Sequence, residues 1–371
     1  MRKRRSVEIE TLDEFDRLVS AGATSMRGWQ VQGVDLSARS DVLARLDARG
    51  ALLLGARLEP AVEERLRTRG ALVFPTLPDV PVDVYRSALY SPDELYAGLD
   101  EGYAATLDAR AYAWADRSGH DLYDLLAQSL HDVAVDDALE EAVGERLVVG
   151  VMGGHDLARG SDGYAAAARL GRGLTRAGFT VATGGGPGAM EAANLGAWLA
   201  VHDDDALGAA LAVLADVPSY SPDVAAWARA GLEVRRRWPE GATSLGVPTW
   251  FYGHEPPNVF ASDIAKYFKN AIREDVLLHV CRAGVVFLPG RGGTVQEVFQ
   301  DACENYYAAA GQVAPMVLVG RDAWTDELPV WPLLERLAAG REMAARVHLV
   351  DDADDVDAVT SVLAGTGSGT P

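Results

Sequence analysis

The chain has 371 residues, 49% of them hydrophobic, and a formal net charge of -20. That length is enough for two ordinary domains, and the negative field disfavours a nucleic acid polymer or an anionic membrane as partner, so an anionic ligand has to be captured by local donors. With only Cys281 and Cys303, a disulfide framework and a four-thiolate metal site are excluded, and the cysteine usage fits a reducing cytosol.

The basic start Met1-Arg2-Lys3-Arg4-Arg5 is not followed by an apolar run and reads as a solvated tail. Residues 1–145 form an N-terminal α/β region of unknown role. Helix-period segments at Leu12–Val19, Val42–Leu46 and Val62–Leu66 alternate in it with apolar runs at Leu52–Leu54 and Leu72–Phe74. Longer helices are predicted over 93–116 and 121–143. The second carries an apolar stripe of Leu122, Leu125, Leu126, Leu130 and Val133, expected to lie across the second domain or a partner subunit.

From residue 146 to 364 the pattern becomes strand, glycine turn, helix, repeated. Leu147–Met152 ends in Gly153-Gly154. Phe179–Ala182 runs into Gly184-Gly185-Gly186-Pro187-Gly188-Ala189-Met190-Glu191. Val285–Leu288 runs into Pro289-Gly290-Arg291-Gly292-Gly293-Thr294-Val295-Gln296-Glu297, and Met316–Val319 and Val347–Val350 follow. This predicts an α/β fold, a Rossmann-like doubly wound parallel sheet with its ligand at the carboxyl ends of the strands. Residues 201–245 break the rhythm and read as an insertion or lid, and 365–371 as a disordered tail.

The turn at Gly290 carries the most chemistry. Glycine at three of four positions before Thr294 exposes backbone amides at a helix start expected near Thr294, with Thr294 as cap and hydroxyl donor, which makes a phosphate site without lysine. Glu297 sits one turn on, where the helix dipole is expected to hold it ionised, as a base or electrostatic stabiliser rather than a proton donor. An acid that only complements the dipole is the ordinary alternative. The second turn fits G-x-G-x-x-A only through Gly184, Gly186 and Ala189, and no strand ending in an acid follows, so a dinucleotide-dependent oxidoreductase falls behind. A helix is predicted from Ser262 to about Cys281, with Ile264, Phe268, Ile272, Val276 and Val280 buried and Lys266, Lys269, Asn270 and Arg273 on the opposite face, either as an anion site or simply as a solvated face.

The Pro289–Glu297 segment resembles the PGGxGTxxE motif of the LOG (Lonely Guy) phosphoribohydrolases, and the Gly184–Glu191 turn resembles their GGG-x-x-G-x-M turn. Gly188-Ala189-Met190-Glu191-Ala192 is similar to the bacterial nucleotide 5′-monophosphate nucleosidases of the same superfamily. The resemblance covers residues 146–364. It implies hydrolysis of a nucleoside 5′-monophosphate to free base and ribose 5-phosphate in a cytoplasmic homodimer, without cofactor or metal. It gives Glu297 and Arg273 catalytic roles and Gly290, Arg291, Gly292, Gly293 and Thr294 the phosphate. Gly153, Gly154, Gly184, Gly185, Gly186, Gly188, Met190 and Glu191 are then expected around the nucleotide. Two departures stand out: the family's Arg-Lys pair is Arg273-Glu274 here, and Arg291 replaces a usual glycine, so it either reaches the phosphate or crowds the turn. A non-catalytic nucleotide sensor or carrier using the same turn is the rival reading. His155 and His254 read as loop histidines or pocket lining, and His202 with Asp203–Asp205 and Asp351–Asp355 as solvated surface rather than metal ligands.

Overall fold

The structure is a computed structural model that describes residues 7–118, 121–251 and 255–365. The basic start, His254 and all of the Gly-rich tail after Gly365 lie outside the described residues. The chain forms two compact units: residues 1–88 with 118–138, and residues 89–117 with 139–371. Residues 89–117, read from sequence as N-terminal, therefore belong to the second unit.

The first unit contains a parallel sheet in simple sequential order, β1 (Val7–Ile9), β2 (Trp29–Gln32), β3 (Leu52–Leu54) and β4 (Leu72–Phe74). The helices Leu12–Ser20, Ser40–Arg45 and Pro60–Thr68 connect them where the periodicity predicted helices. Register pairs Val7 with Trp29, Gln30 with Leu52 and Leu52 with Leu72, so the chain advances one coil every roughly 20–23 residues, a period typical of solenoids. A left-handed glycine precedes each of β2, β3 and β4, and the Gly28 amide donates to the Gly50 carbonyl and the Gly50 amide to the Gly70 carbonyl, both at 3.0 Å. Ile9, Val31, Leu53 and Val73 stack inward over Phe15 and Leu43. The helix Leu122–Val143 contributes to both units. Its expected apolar stripe is not the buried one: Leu122 and Val133 are 80% and 66% exposed, whereas Gln128, His131 and Asp132 are buried. Short side chains at Ala127, Ala134 and Ala138 on that inward face allow close approach, and the polar groups there satisfy one another, as in the 3.1 Å contact between His131 and Asp132.

Among the described residues of the second unit, the strands β5 (Val148–Met152), β6 (Thr180–Thr183), β7 (Leu245–Gly246), β8 (Asp263–Ile264), β9 (Gly284–Phe287), β10 (Met316–Val319) and β11 (Val347–Val350) form one parallel sheet. Their order in it is β11-β10-β9-β5-β6-β7-β8. Every residue of β5, β9 and β10 is buried, as expected of parallel strands covered on both faces. This is the Rossmann-like doubly wound sheet that the strand–turn–helix pattern predicts. From β5 the chain winds outward through β6 on one side and resumes at β9 on the other, so the carboxyl ends of β5 and β9 form the switch point where such sheets bind ligands.

The helices Asp162–Arg176 and Ala189–Trp198 pack backbone against backbone: a Cβ on Gly196 would lie 1.8 Å from the Ala168 carbonyl oxygen. Gly196→Ala is expected to destabilise the unit toward the upper end of the roughly 1–3 kcal/mol typical of overpacking, read as a lowered urea midpoint. The 201–245 segment is helical, with Asp204–Ala215 and Val224–Arg237 joined by a loop. The predicted 93–116 helix is broken: Pro92–Leu95 is one turn, left-handed Gly98 and Gly102 redirect the chain, and a helix resumes over Leu107–Ser118. The predicted 262–281 helix starts only at Asn270, because Ile264 is instead a strand residue paired with Gly246 and Tyr90; Ile272 is consequently exposed.

Candidate functional site

Two loops are zipped together at the switch point. The Leu288 amide donates to the Met152 carbonyl at 2.8 Å and the Gly154 amide to the Pro289 carbonyl at 3.1 Å. This draws Gly153 and Gly154 beside the Gly290 turn, and an open cleft of about 520 Å³ lies over them. Gly153, Gly154, Gly184, Gly186, Met190, Arg273, Arg291, Gly292, Gly293, Thr294 and Glu297 all line it. Of the expected nucleotide-site residues, Gly185, Gly188, Gly290 and Glu191 do not. Left-handed Gly188 brings its backbone against the 154–155 turn, where a Cβ would come within 2.4 Å of the Gly154 carbonyl oxygen. Gly185 accepts from the Asn258 amide, and the fully buried Asn258 also donates to Gly186 and Asn194. That network fixes the second glycine turn from behind.

Glu191 points away from the cleft into a buried ion pair with Arg159, whose Nη2 and Nε donate to its two oxygens at 2.5 and 3.0 Å. Its charge is cancelled there, and it lies beyond direct reach of a ligand in the main cleft. Lys266 is likewise fully buried, 2.6 Å from Asp108, so the expected face of two lysines does not exist.

The helix after the Pro289–Arg291 turn runs Gly292–Tyr307, with Arg291 rather than Thr294 at its cap position. The third residue of the helix, Thr294, is nearly buried, and its side chain fills the space a Cβ on Gly290 would need, 2.1 Å away. Added Cβ atoms on Gly292 and Gly293 would meet nothing within 4 Å, so these residues border open space. Among the described residues no protein acceptor takes up the amides of Gly292, Gly293 or Thr294; the first turn bond is from the Val295 amide to the Arg291 carbonyl. Three free donors at the positive end of a four-turn helix form an anion cradle. Arg291 is exposed at the rim, and no ion pair holds it among the described residues, so it leaves the turn open.

One turn along from the cradle, the Gly292–Tyr307 helix meets the Asn270–Val280 helix through paired side chains. Arg273 lies 3.5 Å from Glu297, and each side chain is 13% exposed. Beside them Glu274 accepts from Asn270 at 2.6 Å and from Gln296. The sequence reading gives Glu274 and Gln296 no role and places Asn270 only on an anion-binding or solvated helix face; the available signal was the adjacency of Arg273 to Glu274 and of Gln296 to Glu297 near two helix starts. The Glu297 carboxyl is pushed up to about 7, chiefly by burial; Arg273 pulls it down and the Glu274 charge pushes it up. This reverses the expected effect of the dipole: desolvation outweighs a term worth about 0.3–1 kcal/mol at a helix end. At neutral pH Glu297 can therefore both donate and accept a proton.

No family model matches the chain, and no curated protein matches it. Among solved structures, it is similar to the molybdenum cofactor carrier protein of Chlamydomonas reinhardtii, with 20% identity over 59% of this chain and 99% of that one, at a TM-score of 0.36. It is also similar to the molybdenum cofactor binding protein of the phototrophic bacterium Rippkaea orientalis, with 15% identity over 59% and 98% of the two chains and a TM-score of 0.36. These figures describe a loose likeness.

The remaining residues singled out in the sequence have local partners. His155 faces Glu255 at 3.2 Å across the rim of the cleft. His202 contacts the Glu240 carbonyl, and Asp203 caps the Asp204–Ala215 helix. Asp351 and Asp354 pair with Arg321 and Arg169 at the surface, each at 2.6 Å. Among the described residues no three His, Cys, Asp or Glu side chains converge as metal ligands, and no helix is long and apolar enough to cross a membrane.

Proposed function

We propose that the chain binds a nucleoside 5′-monophosphate with its phosphate on the Gly292–Thr294 amides and hydrolyses the N-glycosidic bond at Glu297. The observation that carries this is the placement, across one cleft, of three unclaimed amides at a helix start and a desolvated carboxylate paired with an arginine. Phosphate on the cradle fixes the sugar, which is the positioning half of catalysis. As the C1′–N bond breaks, positive charge grows on the ribose, and ionised Glu297 stabilises it. The bonding pair leaves with the base, the water oxygen joins C1′, and a water proton passes by way of Glu297 to the departing nitrogen. Arg273 holds the carboxylate in place and tempers its proton affinity.

The test is incubation with AMP, GMP, CMP, UMP and a cytokinin ribotide, with free base and ribose 5-phosphate as the expected products. Binding of every nucleotide without release would overturn hydrolysis and leave a sensor or carrier. The reading extends to a cytosolic homodimer, for which size-exclusion chromatography is expected to give twice the chain mass.

A further inference from the structure

Beside the main cleft is a second cavity of about 200 Å³, between the 155–159 turn and the segment linking the Asp204–Ala215 and Val224–Arg237 helices. His155 and Asp156 line both spaces, so a ligand seated in the cleft has to pass only that boundary to enter the cavity. We infer that this side cavity is the heterocycle subsite of the cleft, that it takes the base of a purine nucleotide, and that Tyr220 and Asp156 select it. The inference rests on the phosphate reading of the Gly292 turn and deepens it.

Three features fit a flat, uncharged, donor-bearing ring. The walls are planar and apolar: Tyr220 and Trp227 meet edge to face at 6.4 Å, with Pro187 and Pro218 beside them. At about 200 Å³ the cavity is smaller than the roughly 300–1,000 Å³ usual for a whole drug-sized ligand and suits one fused ring system. Finally, its floor offers no free cation to a phosphate. Arg159 is spent on Glu191 and lies 4.6 Å over the Trp227 ring, donating also to the Trp227 carbonyl. The other polar groups are acceptors or hydroxyls: Asp156, which makes no ion pair among the described residues, Ser221, and Ser219, whose hydroxyl oxygen accepts from the Ser221 amide at 3.2 Å. Asp156 and Tyr220 line the same cavity, and burial raises the Tyr220 hydroxyl above its ordinary value. A carboxylate accepts from the amino and ring N–H groups of an amino-purine, and the exposed aromatic face stacks on it. The base site thus comes from the 201–245 segment that the sequence marked as an insertion.

The experiment measures binding of GMP, AMP, UMP and ribose 5-phosphate by calorimetry, with tryptophan fluorescence as a second signal from Trp227. The wild-type protein is expected to bind both purine nucleotides more tightly than UMP or ribose 5-phosphate, with quenching by the purines alone. Tyr220→Ala is expected to weaken purine nucleotides at least about tenfold, the scale of one lost base–aromatic stack, and to leave ribose 5-phosphate unchanged. Asp156→Asn is expected to weaken GMP and AMP relative to ribose 5-phosphate. Tyr220 is a half-buried loop residue, so an unchanged thermal midpoint checks folding. Equal affinity of the wild type for GMP and ribose 5-phosphate, or parallel losses for both in Tyr220→Ala, would overturn the subsite while sparing the phosphate site. Failure to bind any of the four would overturn both.

Discussion

Glu297→Gln is expected to lower base release by about 10²–10³-fold, the usual loss when a group that meets transition-state charge is removed, while nucleotide binding changes little. Glutamine keeps the shape and a hydrogen bond to Arg273 but carries no charge in the pH range of interest. The wild-type rate is expected to rise with pH through an inflection near 7, because Glu297 titrates at about 7 and only its ionised form stabilises the ribosyl cation. Bound phosphate adds like charge and moves that inflection further up in the enzyme–ligand complex. The sign for Glu274→Gln is opposite: the Glu274 charge raises the Glu297 carboxyl, so neutralising it stabilises ionised Glu297 and moves the inflection toward acid. A pH–rate profile of base release checks both variants. An inflection that stays in place in Glu274→Gln, or full activity in Glu297→Gln, would remove the carboxylate from the mechanism.

The glycine turn ahead of the Gly292–Tyr307 helix was legible because its physics is local. Three glycines between a buried strand and a helix leave amides bare whatever surrounds them, and the cradle at Gly292, Gly293 and Thr294 follows. The parallel sheet was legible for a related reason, since short apolar runs followed by glycine and then helix leave few topologies. Glu297 lines the cleft, but burial opposes the ionised carboxylate expected from the dipole, because desolvation depends on a second helix packed over it, and Glu274 comes from that helix. The first-unit solenoid escaped notice because its repeat lies in glycine positions and strand register rather than in a shared motif: Gln30 faces Leu52, and Leu52 faces Leu72. Likewise the 262–269 stretch imitates a helix in its spacing of Ile264 and Phe268, yet an edge strand claims it. Period alone cannot separate the two when a segment is buried on every side.

Lys266 shows most directly how non-local packing overrides sequence pattern, and removing its partner is expected to have the largest effect on stability. Asp108 and Lys266 are both fully buried, 2.6 Å apart. The carboxylate also accepts from the Trp250 indole at 2.8 Å and the Tyr103 hydroxyl at 2.5 Å, and Lys266 lies 5.2 Å from the centre of the Trp250 ring. The pair ties the Leu107–Ser118 helix to the stretch around Lys266, and the Trp250 indole ties it to the stretch that brings Pro248 and Thr249 to the cleft. Asp108→Ala strands an ammonium in the core and is expected to cost about 3–5 kcal/mol, read from urea unfolding. Burial already depresses the Lys266 pKa below its ordinary value, and Asp108 opposes that shift. Without Asp108 the folded state holds the Lys266 proton still less well than the unfolded chain does. The stability of the variant therefore rises with pH toward the ordinary lysine value of 10.5. Asp108→Leu combined with Lys266→Met removes both charges and is expected to recover most of the loss, since paired apolar replacements of buried ion pairs are often close to neutral. If Asp108→Ala unfolds at the wild-type urea concentration, or the double variant is no better than the single one, the buried pair is not what holds these segments together.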